Sequence, residues 1–365
     1  MRKDIKIIFG SSTPRSGGTL LSNILSINKN ILITKDLVHF FRYFYKKYTP
    51  LEKNLRKLSY EFCLRIKYRK SIIFDAEDLF IYLKKNKSFT YDKVLKNIFR
   101  YILIKQNKKI KIIGEIANSE WHNIGNFLKL NKTHKAFQII RDPRAIISSW
   151  KKLTYEKGYR YLIMIFYWLD SINYSEKYSK QFSKKRYLKI KFEDIHSEPV
   201  LAIKRIYNFL NIKNYKISFN KIIWQKKLNS DFIDLNVSSH NNKISYGLSK
   251  KRTVNWKKNI EEWEVVLIEH LLGDKMKKLN YELLNYKNKL LKKGIKIIKK
   301  DKILFKYYKK FIKDQTGTHD KLRDPSKPEN WSASNYSKNL RAKFVDTAEY
   351  KNYINELRKI KNFKL

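Results

Sequence analysis

The sequence lacks the features of a secreted or membrane-spanning protein. Its single cysteine, Cys63, excludes a disulfide within the chain, and nothing else in the sequence indicates an oxidising compartment. The most apolar run, residues 161–169, is far shorter than the roughly 20 residues that a membrane-spanning helix needs. The apolar part of residues 1–9 is also too short for a signal peptide. These absences predict a cytoplasmic protein without a transmembrane segment.

Acidic residues are scarce as well. The chain has 33 Asp and Glu against 81 Lys and Arg, which gives a formal net charge of +48. One interpretation is a polyanionic partner such as a nucleic acid, an anionic surface or a glycan. The other is codon bias, because Lys, Asn and Ile are abundant along the whole length. Charge alone does not choose between them, so a nucleic acid is not the favoured partner.

Clusters of metal ligands are also absent from the sequence. The seven histidines do not pair with cysteine or acidic residues at the spacings of zinc sites, so no metal is predicted. Hydrophobic residues make up 42% of the 365 residues and aromatic residues 15%. This composition predicts a large packed core and not a disordered chain.

The most informative segment is residues 7–21, IIFGSSTPRSGGTLL. An apolar strand leads into a turn rich in Gly, Ser and Thr, and an apolar-faced helix follows directly. This order builds an anion cradle, because small residues let backbone N–H groups converge and the helix N-terminus adds positive charge. The turn is not a Walker A motif: counted from Gly10, Arg15 stands where the second Gly belongs, and no Lys-Ser/Thr pair follows. A nucleotide triphosphatase is therefore disfavoured.

A second segment, residues 137–150 (FQIIRDPRAIISSW), repeats the order of strand, turn and helix. Pro143 stands at the start of the helix, where proline is favourable. Arg141 leaves the end of the strand, and Ser149 lies eight residues on, about two helical turns later. Either segment alone indicates only polar residues at a helix start. The two in order, each after an apolar strand, favour a nucleotide site.

The two segments resemble the donor-binding motifs of the sulfotransferases that use 3′-phosphoadenosine 5′-phosphosulfate (PAPS). Looser similarity follows at residues 187–199, where Phe192 replaces the usual Tyr, in the helix around 206–210, and at residues 252–258 with 279–281; the whole resemblance covers about residues 5–283. It implies that the first loop binds the 5′-phosphosulfate and that Arg141 and Ser149 bind the 3′-phosphate. The donor-binding residues implied in this way are Pro14, Arg15, Ser16, Gly17, Gly18, Thr19, Leu20, Arg141, Ser149 and Arg252.

The resemblance also suggests catalytic residues. Arg15 would stabilise charge on the leaving phosphate, and Asp36, twenty-one residues later, would be the base that activates the acceptor. A plain salt bridge between Asp36 and Lys35 is the alternative, and Glu115 and His122 are reserve candidates for the base. Ile116 stands where the family carries a catalytic lysine, so another residue must supply that charge if the protein is active.

Strand-like runs at 5–10, 31–34, 110–114, 136–141 and 186–191 alternate with helix-like stretches. They predict an α/β fold of the P-loop type, a parallel sheet flanked by helices, with both motifs at its carboxyl edge. A domain at 1–284 would contain a helical insertion at 37–105.

Residues 285–365 would form a basic helical extension. Within it, residues 287–314 hold twelve Lys and two Asp and predict an amphipathic helix, imperfect around Gly294. A polar loop at 316–331 and a last helix over about 347–361 would follow. This tail would either pack on the core or hold a partner.

The sequence therefore predicts a PAPS-dependent sulfotransferase that needs no metal. It would transfer a sulfuryl group to an acceptor hydroxyl or amine and release adenosine 3′,5′-bisphosphate (PAP). The acceptor would be a saccharide or another anionic or polar molecule. Two alternatives remain open: an ATP-using P-loop phosphotransferase, and a non-catalytic anion-binding protein on a sulfotransferase scaffold.

Overall fold

The computed structural model describes residues 5–70, 73–106, 109–151, 158–212, 247–284, 288–318, 352 and 355–360. Five parallel strands form one sheet in the order β2-β3-β1-β4-β5. The strands are β1 (Lys6–Ser12), β2 (Ile31–Lys35), β3 (Ile112–Asn118), β4 (Lys135–Ile140) and β5 (Tyr187–Lys191). The predicted strands and the α/β fold class are confirmed.

Helices connect the strands. Those within the strand-bearing part are α1 (Gly18–Ser26), α2 (Phe40–Tyr43), α3 (Leu51–Lys70), α4 (Ala76–Lys85), α5 (Tyr91–Lys105), α6 (Ile124–Leu130), α7 (Pro143–Lys151), α8 (Ile163–Gln181), α9 (Phe192–Ser197) and α10 (Pro199–Leu210). The later ones are α11 (Lys251–Val254), α12 (Glu262–Lys278), α13 (Leu291–Lys300) and α14 (Lys302–Asp314). None of the helices in the described ranges is long and apolar enough to cross a membrane.

The sheet separates two apolar layers. Successive side chains of a strand point to opposite faces, so Ile33 and Ile116 pack towards α1, α9 and α10. Leu32 and Ile113 point the other way, into a larger layer that includes the helices of residues 37–105. Residues 37–105 contain the helices α2 to α5.

The basic tail packs on this larger layer. Ile298, Tyr307 and Phe311 are buried in the same core cluster as the residues of α8 and α12. The sequence predicts one amphipathic helix that is imperfect around Gly294. In the structure Gly294 lies inside α13 against Leu267, and the helical segment breaks at Asp301. The cause is a new N-cap, because the Asp301 carboxylate accepts hydrogen bonds from the first backbone N–H groups of α14.

Other parts of the tail lie outside the described residues. The polar loop predicted at 316–331 lies outside the described residues except for 316–318. The helix predicted at 347–361 is described only at 352 and 355–360, and both pieces are helical.

Candidate functional site

The turn between β1 and α1 closes on itself at the carboxyl edge of the sheet. The hydroxyls of Thr13 and Ser16 are 2.6 Å apart, and Arg15 and Gly17 both have left-handed backbone, with φ of 70° and 92°. Gly17 is the N-cap residue of α1, and no side chain caps the helix. The first turn of α1 also holds no acidic residue. The uncapped N–H groups and the helix dipole therefore favour an anion at this point.

Two arginines and a serine meet at this turn. Arg15 Nε donates to Ser149 Oγ at 3.0 Å, and Arg141 Nη1 donates to the backbone oxygen of Arg15 at 2.7 Å. In the described part of the chain neither guanidinium makes an ion pair, and the buried Nε of Arg141 has no hydrogen-bond partner. Burial and the charge of Arg141 lower the pKa of Arg15 to about 10, so Arg15 is still charged at neutral pH. Two cations held side by side call for a ligand with negative charge.

An aromatic ring supports the turn from below. The Phe192 ring lies under the Arg141 guanidinium, whose Cζ is 4.0 Å from the ring centroid. A methyl group at Gly17 would lie only 2.4 Å from Phe192 Cδ2, so only glycine lets the turn approach the ring. Phe192 itself stands where the resemblance has Tyr, and here the ring needs no hydroxyl to do this packing.

Arg252 belongs to the same positive region. The His196 ring packs against Phe192 with centroids 4.6 Å apart, and its Nδ1 accepts the Ser249 backbone N–H at 3.2 Å. Burial, followed by the charges of Arg252 and Arg141, lowers the pKa of His196 to about 4. The start of α11 therefore brings a third arginine towards Arg141.

Apart from Arg252, the residues of the late sequence motifs support the site through contacts with the turn that follows β4. Glu193 accepts the Asp142 backbone N–H at 2.9 Å and the Tyr281 hydroxyl at 3.0 Å. Arg144 forms an ion pair with Asp142 and lies over the Trp256 ring, with its Cζ 4.4 Å from the centroid. These contacts fix the turn that follows β4 and, with it, the backbone of Arg141.

The other predicted loop residues differ in what they offer. The Leu20 side chain is buried in the core, so only its backbone could face a ligand. Pro14 and Thr19 are partly exposed, and the Thr19 backbone oxygen accepts the Ser22 hydroxyl at 2.9 Å. The Ser16 hydroxyl is already bonded to Thr13. The groups of this turn that a ligand could contact are therefore mainly backbone N–H groups.

Asp36 lies at the end of β2, close to the turn. Its carboxylate accepts the backbone and side-chain N–H groups of Asn118 at 2.8 and 3.0 Å, pairs with the Lys35 ammonium, and lies 3.3 Å from His39 Nε2. Burial would raise its pKa, but the charge of Lys35 and the hydrogen bond from His39 outweigh burial and hold the pKa of Asp36 well below its usual range. The side chain is still 24% exposed.

The structure does not bring the two reserve bases to the loop. Glu115 accepts the backbone N–H groups of Val38 and His39 at 2.6 and 3.0 Å, so it holds the turn after β2. His122 lies on the 3₁₀ turn Trp121–Asn123, whose His122 carbonyl accepts the Tyr178 hydroxyl at 2.8 Å. Of the three candidates, Asp36 is the one joined to the loop region.

Sequence reasoning missed a buried polar cluster beside Asp36. Glu120 is fully buried, contacts His39 Nδ1 and lies 3.4 Å from Arg42 Nε. His39 thus bridges the carboxylates of Glu120 and Asp36. The spacing of Asp36 and His39 is a signal in the sequence, whereas Glu120 follows β3 and lies 81 residues from His39 along the chain. The sequence indicates Lys35 only as a partner of Asp36, although its side chain also lies beside Gly18 at the start of α1.

Comparisons with known proteins identify the family of the chain. The Sulfotransferase family matches residues 8–216, more than half of the chain. No curated protein matches the sequence significantly.

Among solved structures, the chain is similar to the sulfotransferase domain from the curacin biosynthetic pathway, with 17% identity over 76% of this chain and 99% of that one and a TM-score of 0.47. The sulfotransferase domain of the Synechococcus PCC 7002 olefin synthase has 16% identity over 78% and 98% of the two chains, with a TM-score of 0.46. A mouse sulfotransferase complexed with PAP has 15% identity over 74% and 85%, with a TM-score of 0.41.

The family match begins inside β1 and runs through both strand-turn-helix units that assemble the arginine cluster. A match of this extent places the chain in the sulfotransferase family.

Proposed function

We propose that this protein transfers a sulfuryl group from PAPS to an acceptor hydroxyl and releases PAP. The observation that carries the proposal is the contact between Arg15 and Arg141 at the uncapped start of α1. Burial lowers the pKa of both guanidinium groups, the charge of Arg141 lowers that of Arg15 further, and neither group forms an ion pair among the described residues. PAPS carries negative charge at both its 3′ and 5′ ends, and such a ligand would relieve this repulsion.

Each end of the donor has suitable groups. The backbone N–H groups of residues 16–19 and the Arg15 guanidinium would hold the 5′-phosphosulfate, while Arg141, Ser149 and Arg252 would hold the 3′-phosphate. In the transfer, the acceptor oxygen forms a bond to sulfur as the bond from sulfur to the 5′-phosphate oxygen breaks. The acceptor proton passes to Asp36, and Arg15 stabilises the charge that grows on the departing phosphate.

The two alternatives fit the described site less well. A phosphotransferase that uses ATP has no need for a cation at a 3′-phosphate, and the loop has no Lys-Ser/Thr pair for the β- and γ-phosphates. A non-catalytic anion-binding protein would not need Asp36 poised beside the loop. We further propose a saccharide or another polar acceptor, a cytoplasmic location in view of the single cysteine, and a catalytic unit at 1–284 followed by the extension at 285–365.

Nucleotide binding tests the proposal without knowledge of the acceptor. The wild type should bind PAP at least about ten-fold more tightly than 5′-AMP, because charge-assisted hydrogen bonds to the 3′-phosphate contribute roughly 1.5–3 kcal/mol. Arg141→Ala should remove most of this preference and leave 5′-AMP binding nearly unchanged. Arg205→Ala is the matched control, since Arg205 is exposed on α10 at the opposite edge of the sheet.

Isothermal titration with PAP, 5′-AMP and ATP gives the measurement. Equal affinity of the wild type for PAP and 5′-AMP would contradict the PAPS assignment. Tighter binding of ATP than of PAP would favour the phosphotransferase.

A further inference from the structure

A buried lysine reaches the anion loop from the neighbouring part of the sheet. Lys35 is the last residue of β2, is only 4% exposed and pairs with Asp36. Lysine is almost never buried unless its ammonium is paired. The side chain extends along the start of α1, because Lys35 Cε lies 2.9 Å from the point that a methyl group at Gly18 would occupy. Lys35 thus brings a cation to the first residue of the helix.

The strand register also places Lys35 beside Ile116. Lys35 pairs with Ile116 in the parallel ladder of β2 and β3, so the two side chains share one face of the sheet. Ile116 Cγ2 lies 3.1 Å from the same methyl position at Gly18. The two side chains therefore converge on one point at the start of α1, and a lysine on either strand would reach that point.

We propose that Lys35 is a further catalytic residue, whose ammonium contacts the 5′-phosphosulfate at the place that a lysine at position 116 would reach. The inference rests on the proposed transfer from PAPS. When the bond between sulfur and the 5′-phosphate oxygen breaks, both bonding electrons remain on that oxygen and leave with PAP. An ammonium beside this oxygen stabilises the growing charge, and it complements Arg15, which belongs to the turn itself.

Asp36, the proposed base, also positions the Lys35 ammonium in this arrangement. Its carboxylate is fixed by two hydrogen bonds from Asn118, a residue whose side-chain oxygen accepts the Ser12 hydroxyl at 3.2 Å. The Lys35 ammonium is therefore anchored to the end of β1, directly before the loop. A rigid anchor of this kind places the charge before the donor arrives, which lowers the cost of reorganisation during the reaction.

Ligands that differ only in the 5′-phosphate separate this role from a purely structural ion pair. PAP and adenosine 3′-phosphate are titrated into the wild type, Lys35→Met and Lys135→Met. Lys35→Met should weaken PAP binding by about ten-fold or more and change adenosine 3′-phosphate binding by less than about two-fold, as expected for one charge-assisted contact. Lys135 is a partly buried lysine on β4 at the opposite edge, so its variant should bind both ligands as the wild type does.

A second experiment moves the lysine charge from β2 to β3. The double variant Lys35→Met/Ile116→Lys should regain most of the lost preference for PAP, because the register directs both side chains to the same point. A lysine that only stabilises the fold would show its effect in the melting temperature of the ligand-free protein, with the preference for PAP retained in Lys35→Met.

The outcomes of the inference and of the proposed function are distinct. A wild type that binds PAP no better than 5′-AMP contradicts the PAPS assignment itself. A wild type that prefers PAP, with the same preference in Lys35→Met, overturns only the role of Lys35. If Lys35→Met does not fold, the folded double variant decides: a preference for PAP over adenosine 3′-phosphate as large as that of the wild type supports the inference, and a preference about ten-fold smaller overturns it.

Discussion

Gly17 is the residue on which the shape of the loop depends most directly. Its φ of 92° strains any other L-residue, and a methyl group there would also collide with the Phe192 ring at 2.4 Å. Gly158 has a φ of 68° but nothing within 4 Å of the same methyl position. Comparison of the two glycines therefore separates backbone strain from the collision.

We expect Gly158→Ala to destabilise the protein by about 1–2 kcal/mol, the cost of left-handed backbone alone. Gly17→Ala should lower the unfolding free energy further, because the Phe192 ring must also move, and it should weaken PAP binding through the displaced Arg141. Urea unfolding and PAP titration of both variants make the comparison. Equal losses in the two variants would show that the Phe192 contact does not constrain the turn.

His196 couples the site to pH. Its pKa is lowered to about 4 in the folded protein, against an ordinary value near 6.5, so the unfolded chain binds more protons between these values. Stability contributed by neutral His196 is therefore present above about pH 6.5 and is lost as the pH falls towards 4. His196→Asn keeps an acceptor for the Ser249 N–H and should flatten this part of the curve.

Urea midpoints of the wild type and His196→Asn between pH 7.5 and pH 4.5 measure the difference. The two curves should converge as the pH falls. Parallel curves over the whole range would mean that His196 does not titrate in this window.

At the scale of elements, the sequence specified what is local. The units β1-loop-α1 and β4-turn-α7 could be predicted because each is continuous in the chain, and the Gly/Ser/Thr composition and Pro143 mark their turns. Parallel strands bring both turns to one edge, which is why Arg15, Arg141 and Ser149 meet.

The corner between β2 and β3 could not be predicted in the same way. The contacts of Lys35 with the start of α1 and of Asp36 with Asn118 depend on strand order and on a one-residue register. A slip by one residue would turn Lys35 to the other face of the sheet. The contact between Glu120 and His39 depends on that same register. No local sequence pattern predicts a contact between residues that are 81 positions apart.

At the scale of the whole molecule, the basic tail packs one apolar face on the core and carries exposed lysines on the other face. One face of α13 and α14 buries Ile298, Leu304, Tyr307 and Phe311, and the other face exposes lysines. The chain continues past α14 to Thr318, whose backbone N–H donates to the Phe166 carbonyl at 3.0 Å. The contribution of the buried face to stability and the contribution of the exposed lysines to polyanion binding can be tested separately.

Removal of residues 287–365 should destabilise the whole protein. Burial of each large apolar side chain contributes roughly 1.5–3 kcal/mol, so four of them approach the whole stability of a typical domain, about 5–15 kcal/mol. We expect the truncated chain to melt at least about 10 °C lower or not to fold. Replacement of the exposed Lys292, Lys299 and Lys302 by Gln should leave the melting temperature almost unchanged, because surface substitutions usually shift stability by less than about 0.5 kcal/mol.

Heparin binding measured at several salt concentrations shows what the charge adds. Each contact between a cation and a polyanion releases counterions, so the triple Gln variant should bind with a shallower salt dependence if these lysines face an anionic partner. An unchanged slope would leave the tail a purely structural part of the core. A truncated chain that melts like the full-length protein would show the reverse, that residues 287–365 form an extension whose apolar face contributes little to the fold. The charge of the remaining chain would then have to account for any polyanion binding.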